Sequence, residues 1–399
     1  MSIIYSLVVY CSYFVVYLLR FFNKKLYNWL KVRKYWNSPL LSLKSTDKQF
    51  IWIHCASAGE FEQAIPLINV LKKKKPTTKI AVSFFSSSGY DLYKNSNLAD
   101  LYFYFPLDTK KNARMLITLL QPSRVIFVRK EIWRNILLEL NIHAIPAFLL
   151  NAGLSPSNSF FYRLYLNKTL PLFRKIFDTK TFGNTKLEQV CNHKHHIFKD
   201  DILEDFCKNS LVIIAGSSWK TEENMLAEFF NRNHQRIPNL KLIIAPHEYD
   251  ENKYFELQQL FSNSQLASVN NVAQYSNYPE THCKRILFLD QKGILKYVYR
   301  YGAIAIIGGG FGKSIHNLAE AAVYGLPTVF GPVYEQFEEA IELVELGTAF
   351  PVKDYASFEG RLLKLINDNS LRTSINEKLV CYFKKQENIA AQIANSILE

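Results

Sequence analysis

The sequence predicts an α/β protein of two doubly wound parallel-sheet domains behind an N-terminal membrane anchor helix. Two observations carry the body of this prediction: short apolar runs of strand type alternate with amphipathic runs of helix type, and the alternation lapses once and then restarts. A third carries the anchor, because Ile3 to Leu19 contains no charge, proline or glycine. A chain of 399 residues, 48% of them hydrophobic, can bury two cores.

The apolar segment reads as a membrane helix slightly shorter than the roughly 20 residues of a full span. Whether it crosses the bilayer or only embeds stays open. A signal peptide fits less well, since no basic residue precedes the run and no small-residue cleavage site follows it. Arg20, Lys24, Lys25, Lys31, Arg33 and Lys34 come next, which places this flank and the body on the cytoplasmic side and would attract anionic headgroups. The expected organisation is therefore an anchor at 1–22, a basic juxtamembrane segment at 23–48, an N-terminal domain at 49–209 and a C-terminal domain at 210–399.

In the N-terminal domain, Phe50 to His54 (FIWIH) reads as a buried strand, Cys55 to Gly59 as a small-residue turn and Phe61 to Leu71 as a helix. Lys79 to Phe85, Arg124 to Val128 and Ala144 to Leu149 follow as strands, with helices at Ser88 to Lys94 and Trp133 to Leu140. The stretch from Asn151 to Asn209 is less regular. Strands resume at Leu211 to Ala215, Leu240 to Ala245, Arg285 to Leu289, Ala303 to Ile307 and Thr328 to Phe330, with helices at Glu222 to Phe230 and Leu318 to Tyr324. The tail from Leu362 reads as packing helices. Two such domains facing one another would form a cleft, with ligands at the carboxyl ends of the strands.

The charge balance, 48 Lys and Arg against 35 Asp and Glu, gives +13 and favours anionic partners. Lys72 to Lys75 read as a solvated helix end, so nucleic acid is not expected. Six cysteines (Cys11, Cys55, Cys191, Cys207, Cys283 and Cys381) without a CxxC pair suggest reduced thiols, with neither a zinc site nor a disulfide framework.

Three constellations can carry chemistry. HCASAGE, His54 to Glu60, lies at a strand end; Gly59 lets a ligand approach the backbone, and Glu60 could accept a proton from a hydroxyl or simply complement the helix dipole. VRKEIWRN offers Glu131 either as a second carboxylate of the site or as a helix-start salt-bridge partner. In the run from Ala303 to Pro332, three glycines precede a helix start near Asn317, where backbone amides can meet a phosphate. It matches neither a Walker A loop nor a Rossmann fingerprint. Asn317 could cap the helix, and Glu320 could bind ribose hydroxyls. Two further strand-end turns are GSSWKTEEN, Gly216 to Asn224, and APHEYD, Ala245 to Asp250. They supply Gly216 and Ser217 for a phosphate, and His247 for a phosphate or a base edge, with a solvated loop as the alternative.

The order and spacing of SAGE at Ser57 to Glu60, EIWRN at Glu131 to Asn135 and HNLAEAAVYGLPTVFGP at His316 to Pro332 resemble the Kdo transferases of lipopolysaccharide biosynthesis. That glycosyltransferase family has the two-domain GT-B fold, and the resemblance covers nearly the whole chain. It implies that Glu60 is the base, that Glu131 supports catalysis and that the C-terminal domain binds CMP. Pro246 and His247 occupy the family's Pro-Arg pair, Lys292, Gly293 and Ile294 its M-G-E turn, and Asn317, Leu318, Ala319 and Glu320 its N-P-L-E segment. The implied reaction is inverting, needs no metal or cofactor, and moves Kdo from CMP-Kdo to a lipid A precursor at the cytoplasmic face of a bacterial inner membrane. Another nucleotide-sugar donor, or a membrane scaffold without turnover, are the alternatives. The chain departs from the family's pattern at Arg129, where a glutamate is usual, and at Arg134, where a proline is usual. It departs again at Gly153, which replaces the arginine of N-A-R-L-S in the segment Asn151 to Ser155, and at Lys199 to Asp205, where Ile202 or Leu203 stands for a basic residue.

Overall fold

Each expected strand is a run of apolar residues because its sheet is covered on both faces, so side chains on either side of the pleat must leave water. The computed structural model describes residues 2–43, 49–153, 159–248, 252–262, 272–278 and 284–399. Leu154, Ser155, Tyr249, Asp250 and Cys283 lie outside the described residues. The chain divides into two compact units, 1–189 with 386–399, and 190–385.

The first unit contains β1 (Ile51–Cys55), β2 (Ile80–Phe84), β3 (Leu101–Tyr104), β4 (Arg124–Val128), β5 (Ala147–Ala152) and β6 (Lys175–Asp178). They form one parallel sheet in the order β3-β2-β1-β4-β5-β6. The winding direction reverses between β1 and β4, so the crevice for a ligand opens at their carboxyl ends. Among the described residues the helices that precede β5 are α1 (Ser2–Leu19), α2 (Lys24–Arg33), α3 (Ser38–Leu41), α4 (Ala58–Lys74), α5 (Ser87–Tyr93), α6 (Lys110–Leu120) and α7 (Arg134–Ile142). One core joins α4 to one face of the sheet, and a second joins α6 and α7 to the other. The last helix, Ile389–Leu398, packs Ile389, Ile393 and Ile397 into the α4 core, and Arg124 holds its Ile397 and Leu398 carbonyls.

The stretch from Asn151 to Asn209 is more ordered than its pattern suggests. It includes β6 and the helices Phe160–Thr169, Thr185–His195 and Asp201–Cys207. Phe160 and Phe161 remain exposed, which breaks the one-sided periodicity that would announce a helix.

The second unit contains β7 (Leu211–Ser218), β8 (Leu240–Pro246), β9 (Val272–Gln274), β10 (Ile286–Phe288), β11 (Ile304–Ile307), β12 (Thr328–Phe330) and β13 (Ala349–Pro351). Their order is β13-β12-β11-β7-β8-β10-β9, again parallel throughout. Here the reversal falls between β7 and β11. The β7 strand ends on GSS, Gly216 to Ser218, with Trp219 next, and the glycine run from Gly308 follows β11.

The expectation of a membrane-spanning anchor is not supported. Among the described residues no helix is long and apolar enough to cross a membrane. The 18 residues of α1 reach about 27 Å at the usual rise, against about 30 Å of hydrocarbon. One side of α1 is also committed to the first unit. Tyr5 donates its hydroxyl to Asp108 at 2.7 Å and stacks on Tyr165, and Asp108 in turn accepts the Asn135 and Ile136 amides at the start of α7. Its other side leaves Ile3, Ile4, Leu7 and Phe14 more than half exposed.

Candidate functional site

At the β1/β4 switch, two loops bring two carboxylates together. After β1 the chain turns through Ala56 and Ser57, and α4 starts at Ala58, so Glu60 lies in its first turn and folds back to accept the Ala56 amide. A glutamate that only complemented its helix would be held below the ordinary range. Instead burial, with the neighbouring charge of Glu131, pushes Glu60 up to about 7; the Ala56 amide, Arg129 and the Ser57 amide only partly offset this. A Cβ on Gly59 would meet no protein atom within 4 Å, so the glycine answers no packing need of its own.

Glu131 precedes α7 and is held from across the sheet rather than by a helix-start salt bridge. Its Oε2 accepts Nε2–H of His54 at 3.0 Å and Nε1–H of Trp133 at 2.8 Å. Burial raises Glu131, but the hydrogen bond and charge of His54, with the Trp133 bond, outweigh it and leave the carboxyl below its usual value. His54 is fully buried at the end of β1 and stacks on Phe105 with ring centroids 3.8 Å apart. Its Nδ1 lies 2.9 Å from Ser83 Oγ, which accepts Trp52 Nε1–H at 2.8 Å. The four side chains form one relay: Trp52 donates to Ser83, Ser83 Oγ pairs with Nδ1, and Nε2–H donates to Glu131. The sequence reading passed over His54, Ser83 and Trp133 as parts of this site. The one local signal was a polar ring in an otherwise apolar strand.

Arg129 adopts φ +63°, a left-handed conformation rare for a side-chain-bearing residue, and donates its amide to Leu150 O at 2.7 Å. This turn sends its guanidinium to within 3.9 Å of where a Gly153 Cβ would stand. A cation thus occupies the space beside Gly153 and draws Glu60 downward.

In the second unit, the β7, β8 and β11 loops bring three rings into one stack. His247 follows β8, donates its amide to Ser218 O, and stacks on Trp219 at 4.7 Å and on His316 at 4.3 Å. Trp219 Nε1–H points at His316 Nε2, 3.1 Å away. Burial, then the neighbouring His247, lowers His316, so it is held neutral as an acceptor. Trp219 and His316 lie in quoted motifs, but neither has a ligand role assigned from the sequence. Pro246 closes β8, and Ser217 sits at φ +50° in a bulge beside it. Glu222 ties two loops together by accepting Gly309 N–H at 2.8 Å and Trp219 N–H at 3.2 Å.

The remaining positions divide by what surrounds them. Lys292 and Gly293 are exposed in a turn with Gly293 at φ +85°, and Ile294 starts the helix Leu295–Val298. Leu318 and Ala319 are buried in apolar core, so only their backbone could meet a ligand. Asn317 does not cap the following helix; its Nδ2 donates to Glu320 at 3.0 Å, and among the described residues its buried Oδ1 has no hydrogen-bond partner. Of the Lys199 to Asp205 segment, Leu203 is fully buried and Lys199 is exposed.

Gly216 answers to packing. A Cβ there would overlap the Tyr299 hydroxyl, with Leu295 also in contact. Gly216→Ala is expected to destabilise the protein by about 1–3 kcal/mol. Pairing it with Tyr299→Phe should recover part of the loss in a denaturant melt; no loss in the single variant would show that Tyr299 moves aside freely.

Residues 30–195 match the family model described as 3-deoxy-D-manno-octulosonic-acid transferase (kdotransferase). A 3-deoxy-D-manno-octulosonic acid transferase from Aquifex aeolicus is 26% identical over 87% of this chain and 95% of its own length. The chain is similar to Kdo transferases over most of its length. A Chlamydia trachomatis relative of the same name is 24% identical over 97% of this chain and 94% of its own. The fold recurs in a solved UDP-GlcNAc 2-epimerase from Neisseria meningitidis at 16% identity and TM-score 0.60, covering 88% of this chain and all (100%) of that one. It recurs as well in a solved glycosyltransferase from Rickettsia africae, at 11% identity and TM-score 0.56 over 88% of this chain and 99% of that one. These matches make the chain an enzyme of glycosyl transfer. The two sheet switches hold the motifs that carry the sequence resemblance.

Proposed function

We propose that this enzyme moves Kdo from CMP-Kdo to a hydroxyl of a phosphorylated lipid A precursor, without metal and with inversion, at the cytoplasmic face of the bacterial inner membrane. One observation carries the reading: Glu60, raised to about 7, stands beside a Glu131 held ionised by His54 and Trp133. A carboxylate near 7 is a far stronger base than an ordinary glutamate, yet about half of it is ionised at neutral pH. Glu60 takes the proton of the acceptor hydroxyl as its oxygen bonds to the anomeric carbon. The bond from that carbon to the CMP phosphate oxygen breaks, and CMP leaves with the electron pair. The ionised Glu131 favours the positive charge that develops on the sugar.

Donor recognition falls to the second unit. The amides around Ser217 and Gly308 to Gly310 suit the phosphate. The unpaired Oδ1 of Asn317 and the carboxylate of Glu320 suit ribose hydroxyls. The family's Pro-Arg pair becomes Pro246 and His247, and the ring stack with Trp219 and His316 supports a role for it in holding the base. On the acceptor side, Arg129 returns a guanidinium to the place beside Gly153 where the family carries arginine.

Incubation of the full chain with CMP-Kdo and a tetra-acylated, bisphosphorylated disaccharide lipid tests the reading. Mass spectrometry is expected to show the lipid gaining Kdo, with release of CMP and loss of both in Glu60→Ala. CMP-Kdo left intact by folded wild-type protein, or a UDP-sugar consumed in its place, would overturn it.

A further inference from the structure

Beside the carboxylate site the first unit holds a cavity of about 1410 Å³ between α1, α2 and the loop after β2. Ligand pockets for drug-sized molecules span roughly 300–1,000 Å³, so this one suits something longer. Its walls are largely apolar: Val9 and Val16 come from α1, Trp29 and Val32 from α2, and Phe85 from the β2 loop. Two polar groups in the lining are already spent. Tyr5 donates to Asp108, and Arg33 donates to the Trp29 and Phe85 carbonyls.

We propose that this cavity is the slot for an acyl chain of the glycolipid acceptor, set so that the chain in the slot brings the lipid's sugar hydroxyl to Glu60. The inference rests on the acceptor class proposed above. Three observations fix the occupant. Phe85 stacks on Trp133 at 5.3 Å, and the Trp133 indole binds Glu131, so the wall of the slot is the back of the carboxylate site. Lys25 and Lys31 line the same cavity and are exposed, which suits a lipid bearing phosphates rather than a neutral one. The outward side of α1 exposes Ile3, Ile4, Leu7 and Phe14. Dipping that side into a bilayer would let a chain slide from the membrane into the slot without crossing water.

The test has a binding arm and a kinetic arm on the full chain. Photolysis with a diazirine-bearing palmitate, followed by peptide mapping, is expected to label α1 and α2 saturably, and unlabelled palmitate should compete. Val9→Trp, which narrows the slot, is expected to raise KM about tenfold or more for the acylated acceptor, as losing burial of roughly two methylenes would. KM for the fully deacylated disaccharide bisphosphate should stay unchanged. Ser12→Phe serves as the second variant should Val9→Trp fold poorly. Unsaturable or scattered labelling of the wild type overturns the slot, as does an equal KM change for both acceptors. Saturable labelling of α1 and α2 without transfer to either acceptor would keep the slot and overturn the acceptor reading instead.

Discussion

Glu60→Gln is expected to lower kcat by about 10²–10⁴ and leave a protein more stable above pH 7 than the wild type. The rate falls because the amide cannot take the acceptor's proton. The gain in stability follows from the carboxyl's position, since burial lifts Glu60 from its ordinary 4.5 to about 7. The folded state therefore holds this proton more tightly than the unfolded chain does. Its contribution favours folding below about pH 4.5 and is lost as the pH rises towards 7. Above that the ionised group costs on the order of 3 kcal/mol, which the neutral amide does not. The same value sets the activity profile: kcat/KM of the wild type should rise with pH through an apparent pKa near 7. Thermal melts and initial rates between pH 5 and 9 check both halves. A variant that retains a tenth of the wild-type rate would remove Glu60 from the role of base.

Both halves of this behaviour depend on partners far along the chain, which bounds what the sequence could disclose. The parallel sheets were legible because strands buried on both faces are written as apolar runs, and β4, at Arg124–Val128, matches its expected bounds. The carboxylates were legible because they sit at strand ends, where any doubly wound sheet presents ligands. The short strands β3, β6, β9 and β13 were not legible, since each lies at or next to a sheet edge and is only three or four residues long. Nothing in the residues around His54 marks it as a support for a carboxylate, because its partners are 77 residues away at Glu131 and 29 away at Ser83. The packing need at Gly216 is hidden for the same reason, because the group that forbids a side chain there is Tyr299, in a separate helical turn. The three rings at Trp219, His247 and His316 come from separate loops and meet only once the sheet has formed. The terminal helix declares an apolar face in IAAQIANSIL, but nothing local says that the face returns to α4 in the first unit.

Glu131→Gln is expected to separate the electrostatic part of the site from its shape. The side chain keeps its size, and its amide oxygen can still accept the Trp133 indole. What disappears is a negative charge that helps to raise Glu60 and that favours positive charge on the sugar. Glu60 should then titrate lower, so the acid limb of kcat/KM moves below pH 7, towards the ordinary glutamate range. At the same time kcat at neutral pH should fall by about 10², in the range found when a single group aimed at developing charge is removed. The two effects have opposite signs at pH 5.5, where more of Glu60 is ionised in the variant than in the wild type. The rate deficit should therefore shrink as the pH falls, a pattern that simple unfolding would not give. If the amide nitrogen turns towards His54, that ring must carry its proton on Nδ1 and donate to Ser83, whose hydroxyl oxygen would then accept from both His54 and Trp52 and lose His54 as the acceptor of its own proton. Rates measured from pH 5 to 8 on both proteins decide the matter: an acid limb that does not move would mean that Glu131 acts on Glu60 only through the shape of the loop.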